Sequence, residues 1–208
     1  LSTEDNGPFT LSDGDLSLTV EAAQENDIAT GAGGAQSQQG LEAFDLGAGT
    51  FNFSFDIISV AAFDNAVGFY AADNPNGTVD GVAPEDDGYV DAVLGAALQD
   101  GNEEDIILQG NSETAEFNSV EVEAGKTIVP FLLPDAGDID ELPDAGGGDS
   151  FFGVEVGGSA GEVFTPYAAA NDGVDHFRIL GENIFGAEDL VGGGDQDFND
   201  FVFGAEFT

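Results

Sequence analysis

Cysteine, methionine and tryptophan are all absent from the 208 residues of this chain, and basic side chains are nearly so. The lack of cysteine excludes disulfides, thiolate metal sites and a cysteine nucleophile. Only Lys126 and Arg178 oppose 42 aspartates and glutamates, which gives a formal charge of −40 at pH 7. Because nucleic-acid binding needs basic side chains on phosphates, this charge excludes nucleic acid as a partner and disfavours anionic membranes.

Long apolar runs are also missing, so we expect no membrane insertion. No basic-then-apolar leader precedes Leu1 and there is no initiator methionine, so we expect Leu1 to be a processed start, consistent with export. Hydrophobic residues nevertheless make up 41% of the chain, with 18 phenylalanines, and this supports a packed core rather than disorder. The length suits one large β domain, and we predict a single domain over residues 1–208.

Short alternating apolar runs, separated by Gly, Asn and Asp, recur along the chain, whereas helical periodicity is scarce. This pattern predicts an all-β fold, a jelly-roll-like β-sandwich. The predicted strands are Asp15–Val20, Thr50–Val60, Val67–Ala72, Asp105–Gln109, Ala115–Val122, Thr127–Leu133, Phe151–Val156, Gly161–Ala168, His176–Leu180 and Asp200–Phe207.

One segment departs from this pattern. Residues Asp87–Leu98 place their apolar side chains at helical spacing and predict a short helix near residues 87–98. Two further segments, Thr30–Gly40 and Asp135–Ser150, are predicted to be loops because they are rich in Gly and polar or acidic residues. The acids of the second loop could bind ions diffusely, although we favour a solvated loop.

The segment GAEDLVGGGDQDFND, residues 186–200, carries the strongest chemical signal. Calcium takes about six to eight oxygen ligands in flexible geometry, and alternating carboxylates in a glycine-rich turn can curl around it. The alternative is a solvated acidic turn. We favour calcium because Phe198 sits between acids and leads into an apolar strand, which predicts a loop pinned against the core. The predicted ligands are Glu188, Asp189, Asp195, Asp197, Asn199 and Asp200.

A second, weaker calcium candidate is the stretch from Asp73 to Asp80. Its alternating oxygens at Asn74, Asn76, Thr78 and Asp80 could hold an ion together with Asp73. The alternative is a plain Asn-Gly hairpin turn without an ion.

His176 has no second histidine or cysteine to complete a zinc site or a triad, so we expect a packing or hydrogen-bonding role. Arg178 either bridges carboxylates of the terminal segment or lies partly exposed on a strand, and Lys126 is expected to be solvated. With so many acids, a carboxylate pair is no evidence for a glycosidase. We predict no enzymatic activity.

Three earlier segments combine with the terminal one into a resemblance to a known family. In chain order, and ending in GAEDLVGGGDQDFNDFVF, they resemble the DUF4114 family over roughly Thr50–Thr208, with Ala187 where the family usually has an aromatic residue. The resemblance implies a calcium-associated, β-rich extracellular domain of secreted or surface-anchored bacterial proteins, often adhesins, without an established catalytic activity. The three segments are VGFY (67–70) leading to GTVDG (77–81), AGKTIVPFLL (124–133) and NDGVDHFR (171–178).

These observations predict a non-catalytic, extracellular calcium-binding protein with a structural or adhesive role. One alternative is a self-assembling subunit of a filament or sheath, joined by calcium and by strand exchange through residues 1–20; we favour pairing of this segment within its own chain. A second alternative is a calcium-dependent carbohydrate-binding module. The expected partners are therefore calcium and either other copies of the chain or surface glycans.

Overall fold

The computed structural model describes residues 9–13, 16–20, 43–60, 63–110, 112–137, 139, 142, 163–181 and 183–208. These residues form ten strands and one short α-helix, which confirms the predicted all-β fold class. None of the described helices is long and apolar enough to cross a membrane. The strands are β1 (Phe9–Asp13), β2 (Leu16–Val20), β3 (Gly49–Val60), β4 (Ala66–Ala72), β5 (Ile107–Gln109), β6 (Thr114–Val122), β7 (Thr127–Leu133), β8 (Phe177–Gly181), β9 (Ile184–Ala187) and β10 (Phe201–Phe207), and the helix is α1 (Tyr89–Gly95).

Eight of these strands form a sandwich of two antiparallel sheets. The larger has the order β6-β3-β10-β9-β8, and the smaller has the order β5-β4-β7. Alternate side chains of both sheets point into a shared core that is dominated by phenylalanine. Phe55 of the larger sheet stacks on Phe69 of the smaller at 4.9 Å between ring centroids, and Phe203 packs edge-on against Phe69 at 5.8 Å. Aromatic contacts thus join the two sheets.

The smaller sheet is buried on both faces. Ile128 and Leu132 of β7 face the shared core, whereas Phe131 and its same-face neighbours contact a second apolar cluster that includes residues of α1. This burial explains why the residues that follow Thr127 in this strand, IVPFLL, are all apolar rather than alternating. The predicted helix is confirmed as α1, whose Tyr89, Val93 and Leu94 are buried.

The last strand, β10, lies in the middle of the larger sheet. It pairs with β3 on one side and with β9 on the other. Strand β9 was missed from the sequence because its four residues, IFGA, contain a glycine and run directly into the acidic motif. The terminal segment therefore connects two adjacent strands at the centre of the fold.

One predicted strand is wrong. Of Gly161–Ala168, the described part forms a single bridge, from Phe164 to Leu132, followed by a 3-10 turn at Ala168–Ala170. Pro166 lacks an N–H and cannot extend a ladder, and the N–H of Thr165 donates to the side chain of Asn171 instead. The predicted strand Phe151–Val156 and the predicted loop Thr30–Gly40 lie outside the described residues, as does most of the loop Asp135–Ser150.

The N-terminal strands form a hairpin of their own. β1 and β2 pair antiparallel, from Phe9 opposite Val20 to Asp13 opposite Leu16. This two-stranded sheet joins neither sheet of the sandwich. Over the described part of residues 1–20, the two strands thus pair with each other, and the choice between pairing within the chain and strand exchange stays a prediction.

Candidate metal centre

The acidic motif forms a loop between β9 and β10, which we call the terminal loop (residues 188–200). Its two ends are adjacent because Ala187 pairs with Phe201. Within the loop, the three glycines at 192–194 have positive φ, and so do Gln196 (φ 60°) and Phe198 (φ 55°). Left-handed backbone at a non-glycine residue costs about 1–3 kcal/mol and persists where the surroundings impose it. The loop is therefore tightly coiled and held in place.

Phe198 anchors the loop to the outer face of the larger sheet. Its side chain is 2% exposed and packs with Leu180 and Val202. The main chain beneath it approaches so closely that a Cβ at Gly186 would lie 2.2 Å from the carbonyl oxygen of Phe198. The predicted pinning of this loop through Phe198 is confirmed, although the contact surface is the outer face of the sheet rather than the main core.

Arg178 covers this anchor from the solvent side. Its guanidinium carbon lies 4.1 Å from the centroid of the Phe198 ring, a cation–π arrangement. In the described part of the chain, an ion pair joins Lys126 to Asp73, Nε2 of His176 lies 3.2 Å from a carboxylate oxygen of Asp172, and Arg178 forms no ion pair. Of the two roles expected for Arg178, the exposed strand position is thus the one found, and the expectation that Lys126 is simply solvated is wrong.

Glu188 is the central side chain of the candidate site. It is fully buried, and its Oε1 accepts a hydrogen bond from the N–H of Phe198 at 2.5 Å. Its Oε2 is buried and has no hydrogen-bond partner. Glycine at position 194 leaves room for this oxygen where it lies, because a Cβ there would be 2.5 Å from Oε2. A buried carboxylate oxygen without a partner is costly and indicates a ligand that completes it.

Asp195 and Asp197 converge on Glu188. One carboxylate oxygen from each of the three residues lies within 4.8 Å of the others, and the two aspartates are exposed. Burial, and then the nearby Asp200, Asp195 and Asp197, raise the pKa of Glu188 to about 7, against an opposing hydrogen bond from Phe198. Partial burial and the neighbouring aspartates likewise raise the pKa of Asp197. The three carboxylates repel one another unless a cation lies between them.

The other three predicted ligands take different positions. Asp189 is buried, and its Oδ2 accepts from Nδ2 of Asn65 at 2.8 Å. Asp200 accepts from the N–H of Asp189 at 3.2 Å, and burial together with the charge of Asp189 raises its pKa to about 6. Asn199 donates to Asp197 from both its main-chain N–H and its side-chain Nδ2. These three residues therefore form hydrogen bonds of their own and lie outside the group of three converging carboxylates.

The weaker candidate at Asp73–Asp80 is a tight turn. The oxygens of Asn74 accept hydrogen bonds from within this turn. The N–H of Gly77 donates to the carbonyl of Asn74, and the side chain of Asn74 accepts from the N–H of Asn76. Asp73 accepts from Lys126 Nζ at 2.6 Å and from the N–H of Gly81, and these contacts lower its pKa. Neither Asp73 nor Asp80 belongs to a cluster of three or more metal-ligating side chains in the described structure. These contacts favour the hairpin-turn interpretation.

Sequence reasoning missed two partners of the terminal loop. Asn65 binds Asp189 from a position far away in the chain, and nothing in the sequence links the two. Asp172 contacts both His176 and the N–H of Gly192. Its position four residues before His176, in the sequence Asn171-Asp172-Gly173 that favours a turn, was the available signal. The expectation that His176 packs and forms hydrogen bonds is confirmed, because it is fully buried against Phe164.

Chemically, the arrangement offers hard oxygen ligands and a net negative charge. Such a set suits a hard metal cation and not a soft one.

Comparison with known proteins agrees with the resemblance seen in the sequence. Residues 122–208 match the model of a family described as a domain of unknown function, DUF4114. No curated protein and no solved structure matches the chain. The match confirms the family over this segment, whereas Thr50–Glu121 of the resemblance lies outside it.

Proposed function

We propose that the DUF4114 segment of this chain binds calcium through Glu188, Asp195 and Asp197, and that the protein is a non-catalytic structural or adhesive component outside a bacterial cell. The observation that carries the proposal concerns the Oε2 atom of Glu188. This oxygen is buried, lacks a hydrogen-bond partner and belongs to a group of three carboxylates. A cation supplies the partner that it lacks.

The donor set supports calcium over other ions. All three side chains offer oxygen, which hard cations prefer, and Ca²⁺ tolerates irregular coordination better than Mg²⁺. The hydrogen bond from Phe198 occupies Oε1 of Glu188, which leaves Oε2 for an ion. Because Asp195 and Asp197 are exposed, water can complete the six to eight or so oxygens that calcium takes.

No basic side chain can replace the ion among the described residues. Lys126 is paired with Asp73, and Arg178 lies over Phe198. The formal charge of −40 makes self-repulsion a general cost of folding, which specific cation binding reduces locally. Calcium binding therefore favours the folded state over the unfolded one by mass action.

The position of the loop couples the ion to the fold. The terminal loop joins β9 to β10, and β10 supplies Phe201, Phe203 and Phe207 to the shared core. An ion that orders the loop thus stabilises the junction between two central strands. Outside a cell, where calcium is abundant, such coupling would hold the sandwich together, and this is the reason for the proposed extracellular, structural role.

The proposal is tested by calcium titration of the 208-residue chain, followed by calorimetry and by thermal unfolding in calcium and in EDTA. We expect calcium to raise the melting temperature and expect the double variant D195N/D197N to abolish that rise. The matched control is D56N/D87N, which removes the same charge at two exposed aspartates away from the loop. A melting temperature that is the same in calcium and in EDTA would contradict the proposal.

A further inference from the structure

His176 contacts both polar groups of the Glu188 main chain, the N–H and the carbonyl oxygen. The N–H of Glu188 donates to the carbonyl of His176 at 2.9 Å, and Nδ1 of His176 lies 2.9 Å from the carbonyl oxygen of Glu188. A carbonyl can only accept, so Nδ1 carries a hydrogen and donates. The imidazole is itself fixed, since it is fully buried and stacks on Phe164 with 3.7 Å between ring centroids and 8° between planes.

Asp172 extends this contact to the glycine turn of the terminal loop. Its Oδ1 accepts from the N–H of Val174 at 3.0 Å and lies 3.2 Å from Nε2 of His176. Its Oδ2 accepts from the N–H of Gly192. A carboxylate oxygen accepts, so the contact with His176 is a hydrogen bond when Nε2 also carries a hydrogen. The carboxylate of Asp172 then joins the imidazole that holds Glu188 to the backbone where the run of glycines begins.

The two contacts bracket the part of the loop that precedes the exposed aspartates. Beyond Gly192, the N–H of Gly193 donates to the carbonyl of Leu190 and the N–H of Gln196 donates to the carbonyl of Gly193. These turns place Gly194 next to Oε2 of Glu188. Fixing the main chain at Glu188 and at Gly192 thus fixes the direction from which Asp195 approaches the buried carboxylate.

We propose that Asp172 and His176 are positioning residues for the metal centre, which hold the terminal loop in its ion-binding geometry without contacting the ion. This inference rests on the proposed function. In metal sites generally, replacing a residue that orients a ligand costs about 10- to 100-fold in metal affinity. The pair therefore sets how tightly the ion is held, whereas Glu188, Asp195 and Asp197 bind it.

Two variants separate positioning from ligation. His176→Phe preserves an aromatic ring against Phe164 but removes both hydrogen-bonding nitrogens, and Asp172→Asn preserves shape while replacing one acceptor oxygen with a donor. We expect each to raise the calcium Kd about 10- to 100-fold, the usual effect of losing a residue that orients a ligand. Terbium, excited directly because the chain has no tryptophan, reports the number of bound waters from its luminescence decay in H₂O and D₂O. We expect that number to stay unchanged in both variants and to rise in Asp195→Asn.

Two further variants serve as controls. His176→Asn retains a donor near the Nδ1 position, so we expect it to bind calcium more tightly than His176→Phe, even though it packs less well on Phe164. If His176 acted only by packing, His176→Phe would bind calcium more tightly than His176→Asn. Asp175→Asn removes a charge from the same segment, where the carboxylate accepts from Phe177 N–H, and we expect it to retain the affinity of the original chain.

The outcomes distinguish this inference from the proposed function. If Asp172→Asn, which changes a partly exposed side chain, binds calcium as tightly as the original chain, the positioning role is wrong and the calcium site stands. The same conclusion follows if His176→Phe binds better than His176→Asn. If the original chain binds neither calcium nor terbium, the proposed function fails and the positioning role fails with it.

Discussion

The carboxylate of Glu188 is held at one oxygen by the main chain of Phe198 and left without a partner at the other. Phe198 is itself fixed, because its ring is buried against the outer face of the larger sheet. The carboxylate proposed as a ligand is thus positioned by a hydrophobic anchor ten residues further along the chain. This relationship makes the site sensitive to changes that leave every ligand in place.

Removing only the charge of Glu188 should have opposite effects with and without calcium. Glu188→Gln keeps an acceptor for Phe198 N–H and places a donor where Oε2 faces two aspartates. In EDTA we therefore expect the variant to be more stable than the original chain by roughly 1.5–3 kcal/mol, the usual contribution of a hydrogen bond to a charged group.

In saturating calcium the order should reverse. The original chain gains about 2.7 kcal/mol at a calcium concentration of 100 times Kd, and the variant gains little. Urea unfolding in both conditions measures the two differences. A variant less stable than the original chain in EDTA would show that Glu188 is satisfied without a cation.

Stability without calcium should fall as the pH rises. The pKa of Glu188 is about 7 in the folded chain against an ordinary value of 4.5, and that of Asp200 is about 6 against 3.8. Between each ordinary value and its raised value, the folded state binds more protons than the unfolded state, so its stability decreases with increasing pH.

In EDTA we therefore expect the melting temperature to fall between about pH 4 and pH 7, with Glu188 contributing the upper part of this range. Calcium requires the ionised carboxylates, so its binding near pH 6 should release protons, and calorimetry in buffers of different ionisation enthalpy counts them. Glu188→Gln should reduce both the fall of the melting temperature with pH and the number of protons released on calcium binding. A melting temperature in EDTA that rises across this range would contradict the environment described for Glu188.

Gly194 should matter for ion binding in two ways: it adopts a positive φ, and its lack of a side chain leaves space beside Glu188. Ala at position 194 would place a methyl group 2.5 Å from Oε2 of Glu188, at a residue with φ +49°. Gly192 provides the control, because it also has positive φ (+84°) but a Cβ there would meet nothing within 4 Å. We expect both Gly→Ala variants to lose roughly 1–2 kcal/mol in EDTA from the left-handed backbone.

Only Gly194→Ala should also weaken calcium binding, since the methyl group occupies the space beside the ligand oxygen. Calorimetric Kd values for the two variants measure the difference. Equal affinities would mean that the ion does not approach Glu188 through Oε2.

The sequence predicted the sandwich well because burial leaves a clear pattern in the strands. Alternating phenylalanines at Phe51, Phe53 and Phe55 indicated β3, and the almost entirely apolar run Thr127–Leu133 indicated β7, whose bounds are confirmed. Strand β9 gave no such signal, since four residues with a glycine are too few to show a period. The bridge at Phe164 failed as a strand because Pro166 interrupts the ladder.

The site was predicted as a group of residues but not as a geometry. Glu188 and Asp189 follow each other at the end of a strand, where neighbouring side chains point in opposite directions. Only one of them can face Asp195, and the sequence does not say which. The structure turns Glu188 toward the loop and Asp189 toward Asn65. Asn65 and Asp172 belong to the surroundings of the site only because the fold brings distant segments together.

The last prediction concerns Gly186, which lies beneath the anchor and contacts no ligand. A Cβ at this position would lie 2.2 Å from the carbonyl oxygen of Phe198 and 2.8 Å from Cδ1 of Leu180. Gly186→Ala should therefore lift Phe198 from the sheet, at a cost of roughly 1–3 kcal/mol for an overpacked site. Because the N–H of Phe198 orients Glu188, calcium affinity should fall as well, although Gly186 lies in β9 rather than in the loop.

Gly181→Ala is the matched control, because its nearest contact would be Cδ1 of Ile184 at 3.5 Å, an ordinary distance. We expect that variant to keep both its stability and its calcium affinity. Urea unfolding in EDTA and calorimetry with calcium measure the two quantities separately. If Gly186→Ala loses stability but binds calcium normally, the Phe198 hydrogen bond is not what orients Glu188, and the ion alone must draw the carboxylate into place.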